Sequence, residues 1–316
     1  MGADYQMMLE AYEEAGEQTD VFESSDVAHL VIHENRVVGA HLVPGLEVDP
    51  EELEDGVSAK IVVEEGAVID KRVHMCFGVL PEEGLQRILL DVDVRGGGHV
   101  DILAHCLFPN AVDITHLMDA KIRVGKGATY RYFEQHVHGD SGGTSVVPHA
   151  KVELAENARF ETEFELLEGR VGTIDIEYET ECAAGSSLRM LARIAGREDD
   201  RINISEIGHL KGEDARGVLI SRVAVRDRAQ ADIYNELTAT APKARGHVDC
   251  KEIVRDEAQA RATPIVDVRH PLAHVTHEAA IGSVDSKQLQ TLMARGMAEE
   301  SAVETIIQGL LSQRSA

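Results

Sequence analysis

The period of the apolar positions changes twice along this chain. Residues 3–15 put Tyr5, Met8, Leu9 and Tyr12 on one helical face, with acidic residues opposite. From about residue 27 the pattern becomes strand-like. Val27–His33 and Val37–Val43 flank a turn at Glu34–Arg36. The next two hundred residues hold many short runs rich in Val, Ile and alternating polar residues, separated by Gly, Asn and Asp. Few of these keep a helical period for ten residues, although residues 80–90 fit either period. The helical period then returns. Asp285 and Ser286 are N-cap residues, and Leu289, Leu292 and Met293 follow at i, i+3, i+4. Gly296 stands at the C′ position, and Glu299, Glu300 and Glu304 place negative charge at the start of a second helix. That helix carries the stripe Val303, Ile306, Ile307, Leu310 and Leu311. The spacing predicts a helix–Gly–helix hairpin with one apolar face. Such a face packs on the protein's own body, docks a partner, or is divided between the two.

One motif recurs through the strand-rich middle: an apolar residue, two polar or small residues, a turn residue, then a small residue. It is seen at Val63–Ala67, Val124–Ala128 and Leu154–Ala158, and more loosely at Cys182–Ser186, Val225–Ala229 and Val254–Ala258. The small residues at 67, 128, 158, 186, 229 and 258 are spaced 61, 30, 28, 43 and 29 apart. Coils of ~30 residues with insertions describe these spacings, and a small corner residue lets successive coils stack closely. Short strands that cannot each bury a face alone would then form a solenoid with a continuous apolar interior. A β-sandwich, whose turns also recur regularly, is the alternative.

Composition narrows the function. The 316 residues carry a formal net charge of −25, which opposes binding to phosphate backbones, and no Lys/Arg run supplies a local basic patch. Aromatic residues are 4% and tryptophan is absent, so base-stacking platforms are not expected. The acidic N-terminus lacks the charge and apolar pattern of a signal peptide, and no apolar run approaches the ~18 residues that span a bilayer. A cytoplasmic protein is expected. Cys76, Cys106, Cys182 and Cys250 are far apart and form no C-x-x-C, so free thiols are expected rather than disulfides or a zinc knuckle.

Several motifs suggest chemistry and fail on context. Gly139–Gly143 matches the nucleophile loop of chymotrypsin-like proteases, and His105 faintly echoes their histidine. However, His105 and Ser141 are 36 residues apart, too few for the intervening barrel. A tight loop explains the glycines. Arg95–His99 is glycine-rich, but no Lys-Ser/Thr follows and a strand rather than a helix comes next, so it is neither a P-loop nor a dinucleotide fingerprint. The chain is expected to bind no nucleotide itself. His136 and His138 share a strand face, and His116 or His149 would complete a metal site with them. Exposed or core-edge histidines are the simpler reading, because no diagnostic ligand spacing is present.

The C-terminal third carries a resemblance. Cys250, Pro264, His277-Glu278-Ala279-Ala280-Ile281-Gly282, the short helix around Leu289–Met293, Arg295-Gly296 and the closing helix follow in an order that resembles the SufB/SufD family of iron–sulfur cluster assembly proteins. The resemblance implies a mainly β fold: a right-handed parallel β-helix with a short N-terminal helical region and a C-terminal helical hairpin. The corresponding boundaries are 1–26, 27–270 and 271–316. By the same resemblance Cys250 matches a SufB cysteine that receives sulfur and helps hold the nascent cluster. Glu278 matches a SufB glutamate of that site, and His277 a SufD histidine offered across the SufB–SufD interface. Thiolate with His or carboxylate makes a labile iron site, which suits a protein that must release its cargo. A histidine or Arg255 near Cys250 would also affect its thiolate fraction.

Two departures matter. The N-terminal extension and C-x-x-C cluster motif of longer SufB proteins are absent, and Cys, His and Glu occur together in one chain. A short, SufB-like protein able to pair with itself or with a paralogue is therefore expected, with two such sets at a two-fold interface. The implied role is a scaffold, not an enzyme. It would partner a SufC-type ABC ATPase through Leu289, Leu292, Met293, Ile306 and Leu310, take sulfur from a donor and hold an iron–sulfur cluster transiently. The alternative is a SufD-like partner that stimulates the ATPase and carries no cluster. A β-helix carbohydrate enzyme would need a secreted context that the sequence does not suggest.

Overall fold

Alternation in and out of a common interior organises the chain. The computed structural model describes residues 2–312. Helix α1 (Ala3–Glu14) comes first, followed by β1 (His29–His33), β2 (Arg36–His41), β3 (Leu46–Leu53), β4 (Gly56–Val63), β5 (Val73–Gly78) and β6 (Glu83–Val94). The middle holds β7 (His99–Phe108), β8 (Asp113–Val124), β9 (Thr129–His138), β10 (Thr144–Leu154), β11 (Arg159–Glu168) and β12 (Thr173–Cys182). Then come β13 (Ser187–Gly196), β14 (Arg201–Leu210), β15 (Arg216–Val225), β16 (Gln230–Ala239), β17 (Arg245–Val254), β18 (Gln259–Val268) and β19 (His274–Gly282). Helices α2 (Ser286–Ala294) and α3 (Glu299–Leu311) close the chain.

From β4 onward even strands join a nine-stranded sheet and odd strands a ten-stranded one. Each pairs in parallel with the strand two places further on. This is a parallel β-solenoid of about eight turns, which settles the choice against a sandwich. Among the described residues antiparallel pairing is confined to β1–β2 and β3–β4, which blunt the N-terminal end. The region around residues 80–90 is strand, in β6. The solenoid also extends past residue 270, because β19 pairs with β17 along its length, so the helical part begins only at α2.

The corners explain the irregular spacing of the recurring motif. Small residues 67, 98, 128, 158, 186, 215 and 244 form one column, each donating its N–H to the carbonyl three residues back. The third residue of each of these turns is left-handed: Gly66, Gly97, Gly127, Asn157, Gly185, Asp214 and Lys243. Residues 200, 229 and 258 form a second column on the other edge, where the second turn residue is left-handed: Glu198, Asp227 and Asp256. The step of 61 skips the corner at Gly98, and the step of 43 crosses from one column to the other.

One continuous core fills the interior. Two satellite clusters cover the outer face of the ten-stranded sheet. Tyr5, Met8 and Tyr12 of α1, with Phe22, pack on Val31, Cys76 and Leu107. Val303, Ile307 and Leu311 of α3 pack on Ala224. Outward positions of β7 and β15 are therefore buried as well, which accounts for their nearly unbroken apolar runs. Burying each such side chain contributes about 1.5–3 kcal/mol. Among the described residues no helix is long and apolar enough to cross a membrane.

Candidate functional site

The site at the C-terminal end starts from the alternation of β17. Val248 and Cys250 face the interior core, and so by period does Glu252, whereas Asp249 and Lys251 face outward. Register sets Cys250 between Ser221 of β15 and Ala279 of β19. Asn235 Nδ2 lies 3.7 Å from the Cys250 sulfur, and the Ser221 hydroxyl donates to Glu252 Oε1 at 3.1 Å. Glu206 of β14 belongs to the same interior group. The second oxygens of Glu206 and Glu252 and the Asn235 carbonyl oxygen have no hydrogen-bond partner among the described residues.

Burial governs the electrostatics. It pushes the Cys250 thiol up to about 11, aided by Glu252 and Glu206 and offset by hydrogen bonds from Ser221 and Asn235. It likewise raises Glu206 to about 8 and Glu252 to about 7. Near neutral pH this is a protonated thiol beside two carboxyl groups that readily hold protons.

His277 pairs with Val248, two residues along β19 from Ala279, the partner of Cys250, and so lies on the same interior-facing side of the sheet. Glu278 pairs with Asp249 on the opposite face, where Lys251 Nζ reaches it at 3.3 Å. The fold thus brings Cys250 and His277 to one face and directs Glu278 away from the thiol. The carboxyl group that neighbours Cys250 is Glu252. Arg255 lies at a corner and pairs with Glu300 of α3 at 2.9 Å. β18 and β19 are the last strands of their sheets, and β19 is exposed along nearly its whole length.

Beside this end lies a groove of about 820 Å³ between β17, β19 and the two helices, lined by Lys251, Ile281, Leu292, Ile306 and Leu310 among others. The structure divides the apolar stripe of α3. Val303, Ile307 and Leu311 turn inward, while Ile306 and Leu310 are half-buried at the groove. Leu289 packs against the α3 cluster, and Met293 is 41% exposed. Arg193 anchors the end of α3 by donating to the Leu311 carbonyl at 2.8 Å. The Asp285 side chain caps α2 by accepting from Gln288 N at 2.7 Å.

The protease-like loop is structural here. The Ser141 hydroxyl donates to the Ala111 carbonyl, and His105 lies on the outer face, 3.3 Å from Glu17. A Cβ on Gly143 would meet the Val112 carbonyl oxygen at 2.0 Å, so close coil stacking requires glycine there. His149 points outward to Asp119, whereas His116, His136 and His138 are buried.

Comparison with known proteins supplies the family. Residues 83–310 match the family model described as SUF system FeS cluster assembly, SufBD core domain. The chain belongs to the SufBD family. An iron–sulfur cluster assembly SufBD family protein of Methanocaldococcus jannaschii is 34% identical over 304 residues, covering 96% of each chain. One from Pyrococcus horikoshii is 32% identical over 310 residues, covering 98% of this chain and 94% of that protein. One from Archaeoglobus fulgidus is 24% identical, over 78% of this chain and 66% of that protein. Family membership places the chain in iron–sulfur cluster assembly.

In this SufBD protein, sequence reasoning missed Ser221, Glu206, Asn235 and Glu252. Their signal is the coil length. Ser221, Cys250 and Ala279 are spaced 29 apart, so a correct corner register would have stacked them.

Proposed function

We propose that this SufBD protein is a scaffold subunit, not an enzyme, that holds a nascent iron–sulfur cluster transiently at the open end of its solenoid. The observation that carries this reading is the position of Cys250. Its sulfur lies in the last complete coil, among groups able to take its proton, with His277 on the same face of the uncovered terminal strand. The cluster is cargo. Cys250 would supply thiolate, His277 an imidazole, and Glu252 would accept the thiol proton. A separate donor brings sulfur. The exposed β18 and β19 edges suit pairing with a second copy or a paralogue, which would enclose the cluster. A SufC-type ABC ATPase would dock on the α2–α3 groove and supply all nucleotide chemistry, in the cytoplasm. Its closure would shift the helices against β17 and β19 and free Cys250.

The buried, protonated state of Cys250 favours a second reading, a SufD-like partner that stimulates the ATPase without carrying a cluster. Anaerobic co-expression with a SufC-type ATPase separates the two. After reconstitution, iron and acid-labile sulfide should be stoichiometric in wild type and fall at least tenfold in Cys250→Ser, with the ATPase retained. Negligible iron in both, with the ATPase still bound, overturns the scaffold reading and supports the SufD-like one.

Docking has its own test. Ile306→Asp and Leu310→Asp place charge on half-buried groove residues rather than in the α3 core. Each should weaken ATPase binding at least tenfold in pull-down or titration calorimetry and leave the far-UV circular dichroism unchanged. Unchanged binding would refute the docking surface.

A further inference from the structure

A second polar group lies deep in the solenoid, far from Cys250. Cys106 of β7, His116 of β8 and Glu134 of β9 all point inward, and each is at most 1% exposed. One ligand atom from each lies within 4.8 Å of the other two. The Cys106 sulfur is 3.5 Å from Glu134 Oε1. Five strand steps of ~4.8 Å separate β7 from β17, so this group is about 24 Å from Cys250 along the solenoid axis.

The hydrogen bonds here order the neutral imidazoles and aim one lone pair at Glu134. His138 Nδ1 donates to the Arg170 carbonyl at 3.0 Å, because a carbonyl can only accept. His138 Nε2 must then accept from His136 Nδ1, at 3.2 Å. His136 Nε2 is therefore left as a lone pair, directed at Glu134 Oε1 from 2.8 Å. With Glu134 ionised, a carboxylate and an imidazole lone pair oppose each other there, in a site walled by Phe108, 5.2 Å from His116, and Phe164, 4.6 Å from His136; a proton or a cation between them relieves this. Both ring nitrogens of His116 and the Oε2 atom of Glu134 have no partner among the described residues. Buried polar groups without partners are costly, and a bound ion would satisfy them. Burial accordingly raises Glu134 to about 7.

We propose that Cys106, His116, Glu134 and His136 bind one divalent first-row transition-metal ion, with Zn²⁺ the best match, inside the solenoid. The donor set is one thiolate, one carboxylate and two imidazoles, which suits a tetrahedral ion of borderline softness. Ligands bound at about 2.0–2.3 Å lie about 3.3–3.8 Å apart; the Cys106, His116 and Glu134 donor atoms already lie within 4.8 Å of one another, and His136, whose Nε2 is 2.8 Å from Glu134 Oε1, would turn in as the fourth ligand. A dication with one thiolate and one carboxylate is charge-neutral, which satisfies a low-dielectric interior. His138 and the Arg170 carbonyl would fix the His136 tautomer, as outer partners do at metal sites. Because the site is enclosed, the ion would enter as the chain folds and leave slowly.

The test uses the full chain, unfolded in chelator and refolded with Co²⁺ as a spectroscopic probe. The expected result is one EDTA-resistant ion per chain, a thiolate-to-cobalt absorption band in the near ultraviolet, and a higher melting midpoint than the metal-free refolded protein. Cys106→Ala should lose the band, and His116→Leu should weaken binding at least tenfold. Cys250→Ser should keep the band while losing the cluster, so this site and the scaffold site fail independently. A refolded wild type with no band and no midpoint shift overturns the proposal even if the variants do not fold. A band that follows Cys250 instead of Cys106 also overturns it. Zn²⁺ or Fe²⁺ in the protein as purified supports the site, and purified protein holding neither, with no cobalt band after refolding, refutes it.

Discussion

Replacing Asp249 with alanine is expected to destabilise the protein by about 3–5 kcal/mol, the usual result of removing one member of a buried ion pair. Asp249 faces outward on β17 and pairs with Arg222 of β15, whose side chain is fully buried. Arg222 also donates to the Ser221 and Asp249 carbonyls at 2.8 and 3.0 Å. Loss of the Asp249 carboxylate removes the short ion pair of a buried guanidinium that cannot be deprotonated. Arg222→Met removes the cation and fills similar volume, and such replacements are often close to neutral. The double variant should therefore recover most of the loss of Asp249→Ala. Urea denaturation of the two single variants and the double variant measures this. A loss below about 1 kcal/mol for Asp249→Ala would mean that water reaches the pair and that it behaves as a surface bridge. The outcome bears on function because the pair clamps β17 to β15 directly behind Cys250.

Local codes made much of this fold legible. The face of α1, the β1–β2 hairpin, the Asp285 cap and the Gly296 C′ residue at φ 92° are each written within a few neighbouring residues. Two-residue alternation correctly put His136 and His138 on one face. What alternation does not give is which face. In β9 the apolar Phe133 and Val137 lie on the outer phase, while Glu134, His136 and His138 lie inside. Val137 is covered from outside by the α1 cluster, a contact no strand pattern encodes. The division of the α3 stripe was equally hidden, because it depends on where Ala224 and the β17–β19 edge stand in space. The site residues were opaque for one reason. Their neighbours lie one coil away in sequence, and the mixing of two corner columns obscured the coil length. Glu206 and Glu252 stand at inward positions that only the coil register assigns.

Those two carboxyl groups make stability depend on pH in an unusual direction. Glu206 rises from 4.5 to about 8 through burial alone. A raised carboxyl holds its proton in the fold but not in the unfolded chain, so its contribution is full below pH 4.5 and is lost as pH rises through 8. A shift of that size is worth at most about 5 kcal/mol. Glu206→Gln keeps the shape and removes the titration. Relative to wild type it should be near neutral, or about 1 kcal/mol less stable, at acidic pH. It should be more stable by several kcal/mol, on the order of 3–5, at pH about 9. The groups that share this interior are Glu252, raised to about 7, and Cys250, raised to about 11. Glu252 leaves the variant a residual slope between 4.5 and 7, and Cys250 stays protonated throughout. Denaturation midpoints of both proteins at pH 5, 7 and 9 give the comparison. Parallel curves would mean that Glu206 ionises freely, in contact with water, and that the interior around Cys250 is wet. Diverging curves would mean that the thiol sits in a dry interior and that cluster binding requires the end of the solenoid to open.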